Sequence, residues 1–546
     1  MIARQEQVFG RHPSGHEDPF TRDAMNRLRP WPTLLRPPGP GPVRARVNAA
    51  ASLLAHAVDS GLGHRRCLVT DHETWTYAEL HRRSHQIASV LSDDLGLPTG
   101  GRVLLRGPNA PWYAACWLGT LLAGGVVVSG HEQMSGDELA DVVEAAGVTH
   151  ALGPVEHLDA LTAVAPHLAA SAYPDGSAPA HGEADLPARC ARRPPAAHVA
   201  DTAADDVALI IFTSGTTGRP KAVVHFHRDI VSVATAMGAY VTGLATGDLV
   251  ATTASLSFVA ALSVALQGVL ATGAAALMQP AGRPEEFFAA AGRHRATVVM
   301  ASPGYYRWAL RSAPRSAAHT PRRYLVGGEP LPRGTEEEWF ARTGLRLTNI
   351  FGSTELFSAF AATRAGGRHR PGAVGHAVPG YRLRVIGPDG QAVPPGEPGR
   401  LAVTGPTGVR YLDDPARQAA ALEDGWTLTG DLCSLGPDGI LWHHGRQDDL
   451  VIIEGMNVNP TETEVALLRH PAVRQAAVVG GTADDGGTEL HAHLVIDGPD
   501  TGLLLAEIRS AVERRLAPFK VPRRYFVRDS LPVTHTGKVQ RSRLRP

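Results

Sequence analysis

From Asn48 onward the apolar positions follow a helical period. Ala51, Leu54, Ala55 and Val58 fall at i, i+3, i+4 and i+7, which predicts a helix with one buried face. The period then shortens. RVLLRG (102–107) and GGVVVSG (124–130) are brief β-rich runs flanking WYAACWLGTLLA (112–123), which is apolar all round. A buried helix between two parallel strands is the arrangement this predicts. VALIIFTSG, from Val207, is an apolar strand that runs straight into a polar loop, and the β-prone AVVHF (222–226) leads out of it. Strand–helix alternation resumes through ATVVMAS (296–302), RRYLVGGEP (322–330) and LRLTNIFGSTE (345–355). The run 264–278, broken by Gln267, Gly268 and Gly273, reads as one buried helix too short to span a bilayer. His225 and His227 lie two apart on a β-prone run, so they are expected on opposite faces of a strand and not as a chelating pair.

Elsewhere the texture differs. Between about 380 and 445 short strands such as YRLRVIG and GRLAVTG alternate with GPDG and PPGEPG turns, the pattern of a small β-barrel or sheet. After Arg446 come two β-rich runs and the helix LLAEIRSAVERRL, enough for a separate α+β unit of roughly a hundred residues. Residues 1 to about 45 carry RPWPTLLRPPGPGPVR, which predicts a proline-rich lead-in lying extended on the surface. A second soft linker is expected from about 171 to 204.

Composition narrows the function classes. Lys plus Arg equals Asp plus Glu at 53 each, so no global field favours nucleic acid or an anionic membrane. The N-terminal twenty residues carry charges where a signal peptide needs an apolar stretch. The four cysteines, Cys67, Cys116, Cys190 and Cys433, show no C-x-x-C spacing, which argues against a zinc site or disulfide scaffold and fits a cytoplasmic protein.

The candidate chemistry begins at TSGTTGRPK. Its glycines, hydroxyls and lysine suit phosphate oxygens, but it does not fit G-x-x-x-x-G-K-[ST], because Arg219 and Pro220 precede Lys221. Further along stand FGSTE (351–355), TGD (429–431), GRQDD (445–449), GMNVNPTETE (455–464) and LPVTHTGKVQR (531–541). In this order the set resembles the adenylate-forming superfamily of acyl- and aryl-CoA synthetases, peptide-synthetase adenylation domains and luciferases, from about residue 48 to the end. The resemblance implies an α/β fold. A large N-terminal domain (48–446) of two α/β subdomains and a small β-barrel-like subdomain would follow the extension 1–47. A hinge at Asp448 and a small mobile α+β C-terminal lid domain (447–546) would complete it.

The resemblance also implies site roles. Thr213, Ser214, Gly215, Thr216, Thr217, Gly218 and Lys221 would hold the phosphates that leave as pyrophosphate. Phe351 would stack on adenine beside Gly328, Glu329 and Pro330, with Asn349, Gly352 and Ser353 completing the adenosine site. Asp431 would accept both ribose hydroxyls, for which a carboxylate is a suitable double acceptor. Arg446 would reach the ribose and phosphates, Thr354 the α-phosphate, and Glu355 would hold Mg2+. Lys538 would bridge the carboxylate and α-phosphate oxygens, since this chemistry needs positioning and charge neutralisation more than covalent catalysis. ATP and Mg2+ are thus the implied cofactors. Rotation at Asp448 would then withdraw Lys538 and present the 455–460 face to a thiol.

VHFHRD (224–229), LLRGPNAPWYAACWLGTLLAGGVVV (104–128) and GPTGVRYLDDP (405–415) look like the benzoate- and 2-aminobenzoate-CoA ligase branch. An aryl carboxylic acid is the implied substrate. The chain departs from that branch at SLSFVAALS (255–263), at Ser358 where the branch commonly has histidine, and at SGHEQMSGDEL (129–139). The expected pocket, Phe258, Val259, Ala260, Gly328, Gly352 and Ser358, therefore points to an ortho-amino or ortho-hydroxy benzoate: anthranilate, a hydroxyanthranilate or salicylate. Glu454 stands before Gly455, beside the implied thiol tunnel, and leaves two acceptors open: CoA, or the phosphopantetheine of an acyl carrier protein. The resemblance also admits a homodimer. A dead nucleotide- or acyl-adenylate-binding protein is the alternative outside enzymes, and intact Thr354, Glu355, Asp431, Arg446 and Lys538 count against it.

Overall fold

Two large α/β sheets form the body of the protein, because strands apolar on both faces must be covered on both. The computed structural model describes residues 12–37, 44–174, 185–196, 198–213, 221–312, 321–364, 370–453, 456–483, 488–498, 502–533 and 539–545. One sheet has six strands in the order Ala169–Ala172, His150–Gly153, Arg102–Arg106, Val126–Gly130, Val207–Thr213 and Lys221–Phe226. All neighbours are parallel except the last pair. The helix Pro111–Leu122 is buried along its whole length beside this sheet, as its unbroken apolar sequence predicts.

The second sheet has nine strands. Six central ones are parallel, running Leu347–Ser353, Arg323–Gly327, Val298–Ala301, Leu249–Thr252, Ala275–Leu277 and Arg66–Val69, and antiparallel strands close both edges. A smaller antiparallel sheet of five strands is built around Trp426–Leu435, which pairs with Gly399–Thr404 and Leu441–Arg446. Beyond it, Val473–Thr482, Thr488–Ile496 and Arg524–Val527 make a three-stranded sheet under the helices Pro460–Leu467 and Gly502–Glu513. This last unit has its own apolar cluster, including Val478, Leu490, Leu494, Ile508 and Val512. No helix among the described residues is long and apolar enough to cross a membrane.

Five expectations need correction. The helix after Asn48 exists as Ala49–Asp59, capped by the Asn48 side chain, but it buries Ala50, Leu53, Leu54 and Ala57 and leaves Val58 40% exposed. Four helices, Tyr77–Ser89, Pro111–Leu122, His227–Thr235 and Val269–Thr272, pack around it, so its buried face is wider and turned away from the expected stripe. The N-terminal extension is not simply extended on the surface. Its helix Phe20–Asn26 sinks Ala24 and Met25 into the core beside the six-stranded sheet, and Leu28 follows. The linker 171–204 contains the end of a core strand and the helix Leu186–Arg192, whose N-terminus the Asp185 side chain caps. The run 264–278 is two elements: the helix ends at Thr272, Gly273 takes a φ of +74°, and a strand follows. Finally, the strand holding His225 stops at Phe226, so His227 opens the helix His227–Thr235, and both imidazoles are fully buried.

Candidate active site

The polar loop joins two strands of a hairpin. Thr213 and Lys221 face each other across the last register position of Val207–Thr213 and Lys221–Phe226, at the C-terminal end of a core strand. Ligands of open α/β sheets gather at that end. Lys221 is half-buried. Burial lowers its pKa, the Glu355 carboxylate opposes that, and Arg417 and Arg446 add to the lowering.

Thr354 and Glu355 lie on a tight reversal. Strand Leu347–Ser353 turns back so that Ser353 pairs with Ser358, and Phe357 closes the turn with a φ of +65°, a left-handed conformation that a bulky residue rarely adopts. Packing holds it there: Phe357 is fully buried, and its ring stacks on His225 at 4.4 Å. Gly352 is needed on the way in, since a Cβ there would sit 2.2 Å from the Ser358 carbonyl oxygen. The Tyr411 phenol donates to Glu355 Oε1 at 3.2 Å.

The residues expected on the adenosine side also converge. The Phe351 ring packs against His443 at 5.2 Å. His443 Nε2 meets Asp431 Oδ1 at 3.2 Å, and Arg446 Nη1 reaches the same oxygen at 3.4 Å. Burial pushes the Asp431 carboxyl up, but the hydrogen bond to His443 and the Arg446 charge outweigh it, so its pKa is lowered and it stays an acceptor. Gly328, exposed just after strand Arg323–Gly327, has a φ of +88° with nothing within 4 Å of where a Cβ would stand.

The chain matches the AMP-binding enzyme family over residues 55–411 and the C-terminal domain of AMP-binding enzymes over 462–538. The chain belongs to the AMP-binding enzyme family. A benzoate–CoA ligase of Thauera aromatica is 33% identical over 516 residues, 92% of this chain and 96% of that protein. A 3-hydroxybenzoate–CoA/4-hydroxybenzoate–CoA ligase of the same organism is 32% identical over 517 residues, 91% and 97% of the two chains. Among solved structures, the anthranilate CoA ligase AuaEII in complex with anthranoyl-AMP superposes with a TM-score of 0.85 at 25% identity, covering 92% of this chain and 97% of that one. This is an adenylate-forming enzyme near the benzoate–CoA ligase branch.

For an AMP-binding enzyme the described residues fit the nucleotide: an ionised buried carboxylate, an arginine beside it, an aromatic face and an open glycine edge. Among the described residues no group of three or more His, Cys, Asp and Glu side chains could hold a metal by protein ligands alone. A Mg2+ ion can be held by one carboxylate when phosphate and water oxygens supply its other ligands. Asn349, on the same strand face as Phe351, lines a cavity of about 230 Å3 together with Leu331, Leu347, Thr363 and Ile440.

Of the expected acid-pocket residues, Val259 is buried, but Ala260 is exposed at the start of its helix. Phe258 stacks on His131 at 5.1 Å, and Ser358 donates to Ser263 Oγ at 2.9 Å. Asp448 is exposed on the short helix Gln447–Asp449, immediately after the strand that ends at Arg446. Ser214, Gly215, Thr216, Thr217, Gly218, Glu454, Gly455 and Lys538 lie outside the described residues. Sequence reasoning missed His443 and Tyr411. Both acquire a role only through partners distant in sequence or on a neighbouring strand, and no local spacing marks them.

Proposed function

We propose that this enzyme is an AMP-forming aryl-CoA ligase acting on a benzoate with an ortho amino or hydroxyl group, such as anthranilate, a hydroxyanthranilate or salicylate. The observation that carries the reading is the nearness of Glu355–Tyr411, just past strand Leu347–Ser353, to the Arg446 charge, which with His443 meets Asp431 on the smaller antiparallel sheet. The kinship with benzoate- and hydroxybenzoate-CoA ligases supports an aromatic acid.

In the first step a carboxylate oxygen attacks the α-phosphorus of ATP, and pyrophosphate leaves with the P–O bond electrons. Thr213, Lys221 and the loop 214–220 would hold the departing phosphates. Glu355, kept in place by the Tyr411 phenol, would hold Mg2+, which supplies charge neutralisation. Asp431 and Arg446 would fix the ribose, Phe351 and His443 the base, and Lys538 the reacting oxygens. After a rotation at Asp448 between domains 48–446 and 447–546, a thiolate would attack the acyl carbon and release AMP.

Pyrophosphate release with ATP, Mg2+ and a panel of benzoates and fatty acids tests this, followed by mass detection of product with CoA or a phosphopantetheinylated carrier protein. An ortho-substituted acid should be turned over fastest and give an aryl-CoA peak. Octanoate turned over fastest would overturn the aryl reading. Release without aryl-CoA, but with a loaded carrier, would make the protein an aryl-AMP ligase.

A further inference from the structure

The three stretches in which this chain departs from its branch are far apart in sequence, yet they meet in space. His131 stacks on Phe258, and Ser358 donates to Ser263. The Ser263 hydroxyl is itself spent as a donor on the Ala260 carbonyl at 3.1 Å. Both serines are buried, and their oxygens keep lone pairs able to accept a hydrogen bond.

Four residues beyond Ser263 on the same helical run stands Gln267. It is fully buried, and among the described residues neither its carboxamide oxygen nor its nitrogen has a hydrogen-bond partner. Ser263 and Gln267 stand about one turn apart on the π-helical run Leu262–Gly268, whose i→i+5 bonding still leaves positions i and i+4 on neighbouring faces. A buried amide with both ends unpaired is costly, and native proteins rarely leave one without a ligand or water to satisfy it. A carboxamide offers two donors and an acceptor, and a serine oxygen adds an acceptor. A ring amino or hydroxyl group offers the complementary set, whereas an unsubstituted ring offers none.

We propose that Gln267, with Ser263 and Ser358, forms the polar end of the acid pocket and selects an aromatic acid bearing a hydrogen-bonding ring substituent over benzoate. The inference rests on the aryl-acid reading above. Gln267 and Ser263, to which sequence motifs had not led, thereby join Ser358 in the acid pocket. Where a site is built to bond a polar substituent, the analogue lacking it leaves the protein group unpaired, so rejection exceeds what shape alone supplies.

The test is kcat/KM for pyrophosphate release with benzoate and with the 2-, 3- and 4-hydroxy and amino isomers. In the unaltered enzyme the best substituted acid should exceed benzoate by about 10- to 100-fold. In Gln267→Met, which keeps the volume and removes both polar ends, that ratio should fall by about 10-fold, mainly through KM of the substituted acid. Ser358→Ala should move the ratio in the same direction and serves as the readout if Gln267→Met does not fold. Ratios unchanged in a folded variant would overturn the proposal and leave Gln267 bonded to buried water. So would an unaltered enzyme that treats benzoate and its derivatives alike. Activity confined to aliphatic acids would overturn the aryl reading as well, and is told apart by the absence of release with every aromatic acid.

Discussion

Acid should loosen this protein at His227, and the size of the effect can be worked out. The imidazole is fully buried, and its Nδ1 accepts the Ala49 N–H at 3.1 Å, which anchors the start of helix Ala49–Asp59. Burial, and after it the His16 charge, lower the His227 pKa from 6.5 to about 3, against the Asp206 carboxylate. Protonation would turn the acceptor nitrogen into a donor facing an N–H. Because the folded pKa lies below the unfolded one, the unfolded chain binds the extra proton. Stability is therefore fully present above pH 6.5 and is lost as pH falls towards 3. At pH 5 the loss from this one group is about 2 kcal/mol, rising to about 5 kcal/mol below pH 3. His225, lowered to about 4 chiefly by burial, adds about 2 kcal/mol at pH 5. His227→Gln keeps an acceptor for Ala49 but cannot titrate. Unfolding calorimetry at pH 5 in buffers of different ionisation enthalpy should then show about one proton fewer taken up than in the unaltered chain. An identical proton count, with the same loss of melting temperature between pH 7.5 and 5, would refute the reasoning.

Tyr411→Phe removes the donor to Glu355 while keeping the ring, so kcat should fall about 10-fold and the Mg2+ requirement rise, with melting nearly unchanged; superimposable Mg2+ titrations would contradict this. Arg410 and Asp229 form a fully buried pair at 2.6 Å. Arg410→Met should cost about 3–5 kcal/mol by stranding the carboxylate, and adding Asp229→Leu should recover much of it. A double variant that melts no higher than the single one would rule out a stranded charge as the cause. Lys538→Ala should lower pyrophosphate release about 100-fold or more while nucleotide binding persists. Unaltered release by that variant would remove the lysine from the adenylation step.

Much of the fold was legible because its determinants are local. Apolar runs such as Val126–Gly130 and Pro111–Leu122 are buried from every side, so no knowledge of the partner is needed to assign them. The motif residues Phe351, Asp431 and Arg446 were legible because they travel in short ordered signatures, and the structure brings these three together through His443 and Asp431. Where burial depends on a partner, sequence reasoning slipped. The face of Ala49–Asp59 was set by the four helices around it, and the proline-rich extension found an apolar seat that composition does not reveal. The same limit explains the site. His443 and Tyr411 become site residues only because strand pairing and loop packing carry them to Asp431 and Glu355. Nor does spacing along the chain tell that His131 meets Phe258 and that Ser358 meets Ser263, since hydrogen bonds and ring contacts act over a few ångströms of space whatever the sequence separation. The chain alone determined the class of chemistry and the order of its parts, and tertiary packing decided which side chains stand within reach of one another.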